Sequence, residues 1–249
     1  MVRVQLIYKT LKDLANKEQK GFITPDVFNS FAGVAQTNIY NELFQELVKA
    51  KQLQRQNFDP GRDKSVRKQI TEDLSVFIVS DLVILGTSNL FFKPDNLSKI
   101  ISISTSESDR GDVDFTSGRY TRKQVELVYD VEKIDRILTS NLSTPTEDFP
   151  IALIAQDIEV FPSEVDEIRV TYYRKPGSIN YDGEFVDTVP AYNEVVMGSL
   201  TAFDSPNSFD FMLPPHYTTE LVMEMAKLVG VRLRDPNLTG FAAQEEASE

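Results

Sequence analysis

The spacing of apolar residues changes near residue 81 and changes back near residue 213. Before residue 81, apolar side chains recur every three or four residues, as in amphipathic helices. After it, β-branched runs such as "KIISIS", "QVELV" and "IRVTYY" are separated by Pro, Gly, Asn, Asp and Ser clusters, which indicates strands. The sequence therefore predicts an α+β fold in which a helical frame carries an inserted antiparallel β-rich module.

The strongest helix signal begins in the stretch "FITPDVF". Thr24 can cap the first turn, Pro25 suits its first position, and Asp26 complements the exposed amides there. The residues that follow trace one apolar face of a helix that we expect to run to about Gln56: Phe28, Phe31, Ala35, Ile39, Leu43, Phe44 and Leu47. Because this face is continuous, the helix needs a partner to cover it.

Shorter apolar stripes predict the remaining helices. The first stripe consists of Leu6, Ile7, Leu11 and Leu14, and the second consists of Val66, Ile70, Leu74 and Phe77. The third follows Pro214 and Pro215 and consists of Leu221, Val222, Met225, Leu228, Val229 and Leu233. We expect the last helix to pack on the N-terminal ones. The predicted organisation is a helical part at 1–80, a β-rich module at 81–212 with a short helix near 130–140, a C-terminal helix at 213–234 and an acidic tail at 235–249.

The most regular strand pattern lies within residues 148–176. Ile168, Val170 and Tyr172 alternate with Arg169, Thr171 and Tyr173, which predicts a half-buried strand. Three prolines cannot donate ladder hydrogen bonds and should mark strand ends: Pro150, Pro162 and Pro176. We interpret this stretch as a rigid module and not as a catalytic site. The later stretch "GSINYDGEFVDTVPAYNEVVMGSL" has the character of an irregular hairpin or loop excursion.

The composition limits the classes of function. A net charge of −12 argues against a protein that holds nucleic acid by counterion release, which needs clustered Lys and Arg. The absence of cysteine excludes disulfides and thiol nucleophiles. The longest apolar stretch, "LSVFIVSDLVILG", carries Asp81 and is too short to span a bilayer, and the first twenty residues lack the pattern of a signal peptide. We therefore expect no membrane partner.

Few residues have the types that catalysis needs. His216 is the sole histidine and stands beside two prolines at a helix start, where a capping or surface role is favoured. Asp157 and Glu159 share one face of a strand, as the carboxylates of a hydrolase would, but a half-exposed strand has the same pattern. Phosphate-binding glycine loops, GxSxG and HExxH are absent. We predict no catalytic residue, no cofactor and no enzymatic activity.

Two further clusters have simpler interpretations as solvated surface. Asp109, Asp112 and Asp114 in "SDRGDVDFTSG" are spaced as in a calcium loop but lack its later Glu, so we predict an exposed loop and no metal. The densest basic cluster surrounds Phe58 and is diluted by Asp59 and Asp63, which favours a solvated helix start over contact with nucleic acid. Its members are Arg55, Arg62, Lys64, Arg67 and Lys68.

Several stretches, in their order along the chain, carry a family resemblance. They are "GFITPDVFNSFAGVAQTNIYNELF", "FFKPDNLSKIISIST", "VELVYDVEKIDRILTSNLSTPTEDFPIA", "IEVFPSEVDEIRVTYYRKP" and "SFDFMLPPHYTTELVMEMAKLVGVRLRDPNL". With a strand-rich region between helices, the chain resembles the head-to-tail adaptor, or tail ring, proteins of short-tailed bacteriophages, particularly those of the crAss-like phages. The resemblance is a pattern over much of the chain and depends on no single motif.

The resemblance implies a structural virion protein in the phage tail or neck, made in the cytoplasm of the bacterial host. It implies a homo-oligomeric ring of twelve copies that extends the DNA channel below the portal protein and docks further tail ring proteins. Duplex DNA would pass through without specific binding. We expect interface or structural roles for Thr24, Pro25, Phe28, Phe31, Pro150, Pro162, Tyr172, Tyr173, Arg174, Pro176, Leu221 and Met225.

Two other functions stay open from the residues alone. A capsid-decorating or head-completion protein would use the β-rich module to bind another shell protein, and its copy number would distinguish it from a tail ring. A glycan-binding module or hydrolase would use Asp157, Glu159 or the pair Tyr172 and Tyr173. The chain has no tryptophan, the residue best suited to stacking on sugars, which weakens the second alternative.

Overall fold

The computed structural model of the chain describes residues 1–17, 23–56, 60–86, 89–106, 122–165 and 167–233. In these residues five α-helices are present: α1 Val4–Lys17, α2 Pro25–Gln56, α3 Pro60–Leu74, α4 Val131–Leu138 and α5 Thr218–Leu233. The strands are β1 Ile78–Leu85, β2 Leu90–Phe91, β3 Leu97–Ser106, β4 Arg122–Gln124, β5 Glu126–Val128, β6 Ile151–Ile154, β7 Ile158–Phe161, β8 Glu167–Arg174, β9 Ser178–Ile179, β10 Phe185–Val186, β11 Glu194–Met197, β12 Leu200–Phe203 and β13 Asp210–Phe211. The predicted α+β class is confirmed. None of the described helices combines the length and the apolar character needed to cross a membrane.

The chain divides into two compact units. The helical unit comprises Met1–Phe77 and Pro176–Glu249, and the β unit comprises Ile78–Lys175. The sequence pattern assigns residues 176–212 to the β-rich module, whereas in the structure the chain returns to the helical unit at Pro176. The buried side chain of Gln36 in α2 explains the difference. Its Nε2 donates to the Gly177 carbonyl at 2.6 Å, and its Oε1 accepts from the Met212 amide at 2.7 Å, so both ends of the segment are fixed to α2.

In the helical unit, α2 packs against α3 and α5, and α5 also packs against α1. The predicted docking of the C-terminal helix on the N-terminal helices is therefore confirmed. The α1 stripe differs from the prediction, because Leu6 is 51% exposed and Leu14 is half-buried. Side chains spaced by three or four residues fill the buried side of α1 instead: Val4, Ile7, Tyr8, Leu11 and Ala15. Leu6 lies one residue outside that stripe and faces solvent.

The β unit contains two four-stranded sheets, with strand orders β1-β8-β3-β4 and β2-β7-β6-β5. Burial along β8 alternates as predicted, with Ile168, Val170 and Tyr172 buried and their neighbours half-buried. The module is not purely antiparallel, because β5 and β6 pair in parallel. A parallel pair needs a crossover, and α4 provides it.

The three prolines stand at strand ends, as predicted. Pro150 immediately precedes β6, Pro162 immediately follows β7, and Pro176 lies two residues beyond β8. Because β7 and β8 belong to different sheets, the loop between them carries the chain from one sheet to the other.

The predicted short helix is α4, and its N-cap is Asp130, whose Oδ1 accepts from the Glu132 amide at 3.0 Å. Its inward side carries Ile134 and Ile137, whereas Val131 and Leu138 are 55% and 37% exposed.

Candidate assembly surface

The hairpin formed by β11 and β12 lies in the helical unit. Its ladder pairs Glu194 with Phe203, Val195 with Ala202, Val196 with Thr201, and Met197 with Leu200. Gly198 and Ser199 close a two-residue turn, and Gly198 has a φ of +66°, which a side chain would disfavour. Among the described strands, β11 and β12 pair only with each other.

The hairpin is exposed on both faces, since Val196 is 71% exposed opposite exposed Thr201, and the other face is entirely apolar. Directly opposed residues of an antiparallel pair point to the same side, so Val195 and Ala202 share a face with Met197 and Leu200. Val195 is 37% exposed, Met197 66% and Leu200 74%, and Ala202 is also exposed. We call these four residues the apolar hairpin face. Contiguous exposed apolar side chains of this kind mark interaction surfaces, and an isolated two-stranded hairpin is only marginally stable in water.

The base of the hairpin is held by an aromatic cluster. The Tyr192 ring stacks on Tyr8 with centroids 4.0 Å apart and on Phe203 with centroids 5.2 Å apart. Phe28 meets the Tyr8 ring edge-on at 5.4 Å. Asn29 in α2 bonds both backbone groups of Tyr192, since its Nδ2 donates to the carbonyl at 3.0 Å and its Oδ1 accepts from the amide at 2.8 Å. The start of the hairpin is thus fixed to α2.

The hydroxyl of Tyr192 also contacts the first residue of β11. It donates to Oε1 of Glu194 at 3.3 Å. Burial raises the pKa of Tyr192 to about 12, with further contributions from the negative charge and hydrogen bond of Glu194 and from Tyr8. Tyr192 therefore stays neutral at physiological pH and acts as a packed hydrogen-bond donor.

Backbone contacts hold both strands of the hairpin at its base. Ala191 and Phe209 exchange hydrogen bonds of 3.1 and 2.8 Å, and the Asp204 amide donates to the Asn193 carbonyl at 2.9 Å. The Asn193 amide donates to Oγ of Ser208 at 2.9 Å. The apolar hairpin face is consequently presented from a rigid base.

The structure places several predicted interface residues in the core of the helical unit. Phe28, Leu221 and Met225 are fully buried, and Phe31 is half-buried. Thr24 is the N-cap of α2, since its Oγ1 accepts from the Val27 amide at 3.3 Å, and half-buried Pro25 is the first residue of that helix. These residues build and start helices and contribute little exposed surface.

The predicted interface residues of the opening strand pattern also lie largely inside. Tyr172 is buried and donates through its hydroxyl to Oδ1 of Asn96 at 2.9 Å, and Pro150 is buried beside β6. Tyr173 and Arg174 lie at the end of β8 and are half-buried. Pro162 and Pro176 are half-buried as well. Burial raises the pKa of both Tyr172 and Tyr173.

His216 and Tyr217 serve the packing of the helical unit. Nε2 of His216 lies 3.1 Å from Oδ1 of Asp73, and the hydroxyl of Tyr217 donates to Oδ2 of the same carboxylate at 2.9 Å. Burial, followed by the hydrogen bond to Asp73, strongly raises the pKa of Tyr217. Both contacts attach the turn before α5 to α3, which gives His216 a structural role.

The carboxylates considered for hydrolysis lie at the start of β7. Glu159 accepts from Nδ2 of Asn89 at 2.8 Å, and Asp157 lies just before β7. No group of three or more His, Asp or Glu side chains in the described residues could hold a metal ion. The aspartates at 109, 112 and 114, Phe58 and the tail at 235–249 lie outside the described residues, as do the side chains of Arg55, Arg62 and Lys64. Arg67 and Lys68 are exposed on α3.

The β unit exposes a separate set of large apolar side chains around α4 and the loop that follows it. These are Tyr129, Val131, Leu142 and Phe149, with exposed fractions of 64%, 55%, 98% and 79%. We call them the β-unit apolar set.

The sequence prediction of an irregular hairpin near residues 177–200 did not identify the apolar hairpin face. One signal for the hairpin is present, because two runs of strand-forming residues, "EVVM" and "LTAF", are separated by the dipeptide Gly-Ser. The exposure of one face has no such local signal, since it depends on which other elements pack nearby. Comparison of the sequence with protein-family models and with curated proteins gives no match.

Proposed function

We propose that the chain is a structural virion protein that forms an oligomeric ring in a phage head-to-tail connector or tail barrel. The ring extends the DNA channel below the portal and docks further tail proteins. The observation that carries this proposal is the apolar hairpin face, held on a rigid base and left uncovered by the rest of the described chain. The resemblance of the sequence to tail ring proteins supports the same function.

Covering the apolar hairpin face would contribute to the stability of an assembly. Full burial of a Val, Leu or Met side chain contributes roughly 1.5–3 kcal/mol. Because these three side chains are only partly exposed before contact, covering them gives a contact that is weak for a single pair of subunits and becomes stronger when it recurs around a closed ring. A repeated head-to-tail contact closes into a ring when the rotation between neighbours permits it.

An adaptor needs surfaces for its neighbours in the ring and for the proteins above and below. The β-unit apolar set supplies a second surface of suitable chemistry, and we assign it to docking of the portal or of the next tail protein. The net charge of −12 suits a channel wall from which DNA is repelled, so that DNA slides without being held.

The mass of the purified protein tests this proposal. Light scattering over a range of concentrations, followed by electron-microscope class averages of the largest species, should yield a closed ring with a central hole wide enough for duplex DNA. A chain that stays monomeric at every concentration would contradict self-assembly. A closed particle without a central hole would contradict the channel.

A further inference from the structure

A cavity lies beside the start of α1 in the helical unit. Its volume is about 350 Å³, and its walls come from the start of α1, from β9 and the turn after it, from the end of β12 and from β13. A cavity of this volume falls within the size range of small-molecule sites. Six of its side chains decide what it can hold: Arg3, Gln5, Asn180, Tyr181, Phe203 and Asp210.

The wall formed by β13 is fixed to the start of α1. Val2 and Phe211 form an isolated β-bridge, in which the Phe211 amide donates to the Val2 carbonyl at 3.1 Å. Oδ1 of Asp210 accepts from the Val4 amide at 2.8 Å. Asp210 is also paired with buried Ile179 of β9, and directly opposed residues point to the same side of a sheet, here toward the cavity. The carboxylate of Asp210 is therefore held in place.

The walls formed by Asn180 and Phe203 are also fixed. Oδ1 of Asn180 accepts from the Glu184 amide at 2.8 Å, and the Asn180 amide donates to the Glu184 carbonyl at 2.9 Å. The Phe203 ring stacks on Tyr192 with centroids 5.2 Å apart. Groups whose positions are set in advance lose little conformational entropy when a ligand binds. The cavity is thus preorganised on several sides.

Polar groups of the wall retain capacity for hydrogen bonds. Within the part of the chain that the structure describes, no hydrogen bond or ion pair occupies Oδ2 of Asp210, Nδ2 of Asn180 or the guanidinium group of Arg3. The carboxylate oxygen accepts hydrogen bonds, whereas the guanidinium and the amide nitrogen donate them. The wall therefore suits a ligand whose groups both donate and accept.

The charges around the cavity favour a neutral ligand. Arg3 and Asp210 are the charged side chains of its described wall, and they carry opposite signs. Asp182, Glu184 and Asp204 are sequence neighbours of wall residues and add negative charge outside it. These carboxylates oppose an anion such as a phosphate, and Arg3 opposes a cation. A ligand without charge meets neither penalty.

Two aromatic side chains add apolar surface to this polar wall. Tyr181 is 70% exposed, and Phe203 is half-buried. A sugar ring has an apolar C–H face that packs on an aromatic ring, and its hydroxyl groups both donate and accept hydrogen bonds. Tyr172 and Tyr173, the tyrosines considered from the sequence for such stacking, are buried and half-buried in the β unit. Tyr181 is exposed beside a cavity instead.

We propose that this cavity binds a neutral sugar, with room for a mono- or disaccharide unit of a glycan. Tyr181 and Phe203 pack against the C–H face of the sugar ring. Asp210 accepts hydrogen bonds from its hydroxyl groups, while Arg3 and Asn180 donate to them. This site goes beyond the ring proposed above, and the cavity wall contains none of the four residues of the apolar hairpin face.

Saturation-transfer NMR on the full chain, followed by titration, tests for a bound sugar. The probes are maltose, cellobiose, lactose and N,N′-diacetylchitobiose, with adenosine as a neutral ligand of another class. We expect saturable binding of at least one disaccharide. Absence of saturable binding for all four disaccharides would overturn the proposal. Binding of adenosine and of none of the sugars would assign the cavity to nucleosides and would also overturn it.

Two variants locate the bound sugar. Tyr181→Ala removes an exposed ring, and Asp210→Asn removes one carboxylate oxygen while keeping an acceptor for the Val4 amide. Each should weaken sugar binding several-fold with an unchanged circular dichroism spectrum. Tyr129→Ala is the matched control, because Tyr129 is 64% exposed in the β unit, and it should bind as wild type does. Wild-type affinity of the Tyr181→Ala variant would place the sugar elsewhere and refute the site.

Light scattering on the same proteins separates this proposal from the proposed function. A wild-type ring that binds no sugar would refute the site and leave the ring intact. A chain that binds sugar through Tyr181 and stays monomeric would refute the ring and leave the site intact.

Discussion

The side chain of Gln36 should contribute strongly to the stability of the helical unit. It is 1% exposed and joins α2 to the two ends of residues 177–212 through the Gly177 carbonyl and the Met212 amide. Gln36→Leu keeps a similar volume and removes both hydrogen bonds. Each buried backbone group that loses its partner costs about 1–3 kcal/mol, and two such groups are affected, so we expect the free energy of unfolding to fall by about 2–6 kcal/mol.

Urea unfolding followed by far-ultraviolet circular dichroism measures this loss. With a slope of about 2–3 kcal/mol per M, the urea midpoint of unfolding should fall by roughly 1–3 M. Gln45→Leu makes the same chemical change at an exposed position of the same helix and should stay within about 0.5 kcal/mol of wild type. A loss below about 1 kcal/mol for Gln36→Leu would refute the assigned role of these hydrogen bonds.

Three further predictions concern the pKa of Tyr192, the cap of α2 and the turn of the hairpin. The pKa of Tyr192 is raised from 10 to about 12, so the folded state keeps a proton that the unfolded state has lost. The stability contributed by Tyr192 is then fully present below pH 10 and is lost as the pH rises from 10 to about 12. In alkaline unfolding curves, Tyr192→Phe should reduce this loss. An unchanged curve would contradict the raised pKa of Tyr192. Thr24→Ala removes the cap bond to Val27 and should cost about 1 kcal/mol in the same urea assay, where an unchanged midpoint would exclude the cap. Gly198→Val places a β-branched residue at a φ of +66°. It should speed hydrogen exchange of the hairpin amides without shifting the urea midpoint. Unaltered exchange would mean that the turn tolerates the side chain.

The parts of the fold that could be predicted from sequence are those with local causes. The start of α2 follows from Thr24 and Pro25, and most of its length follows from the apolar spacing as far as Leu47. The three prolines stand at strand ends because a proline nitrogen has no hydrogen to donate to a strand ladder, whichever sheet the strand belongs to.

The unit to which residues 176–212 belong could not be predicted in this way. A strand pattern reports local backbone preference and does not say which element a strand packs on. The deciding contacts of Gln36 span 141 and 176 residues of sequence. The parallel pairing of β5 and β6 is likewise decided by the crossover through α4 and not by either strand alone.

The candidate surface was harder to predict than the fold. Phe28, Leu221 and Met225 satisfy the same apolar spacing whether a helix faces its own core or a neighbouring subunit, and in this chain they face the core. Met197 and Leu200 belong to two strands that are too short to show a clear periodicity in the sequence, yet they are among the most exposed apolar residues. Exposure depends on what the rest of the chain leaves uncovered, which a local pattern does not contain.

The central claim is that the apolar hairpin face drives self-assembly. The most direct test compares the mass of the wild-type protein with that of a Met197→Glu/Leu200→Glu variant by light scattering over the same concentrations. Leu6→Glu, at an exposed apolar position of α1, is the control. We predict that wild type and Leu6→Glu grow into the same large species, whereas the hairpin variant stays monomeric with an unchanged urea midpoint. A hairpin variant that reaches the wild-type mass would contradict the account.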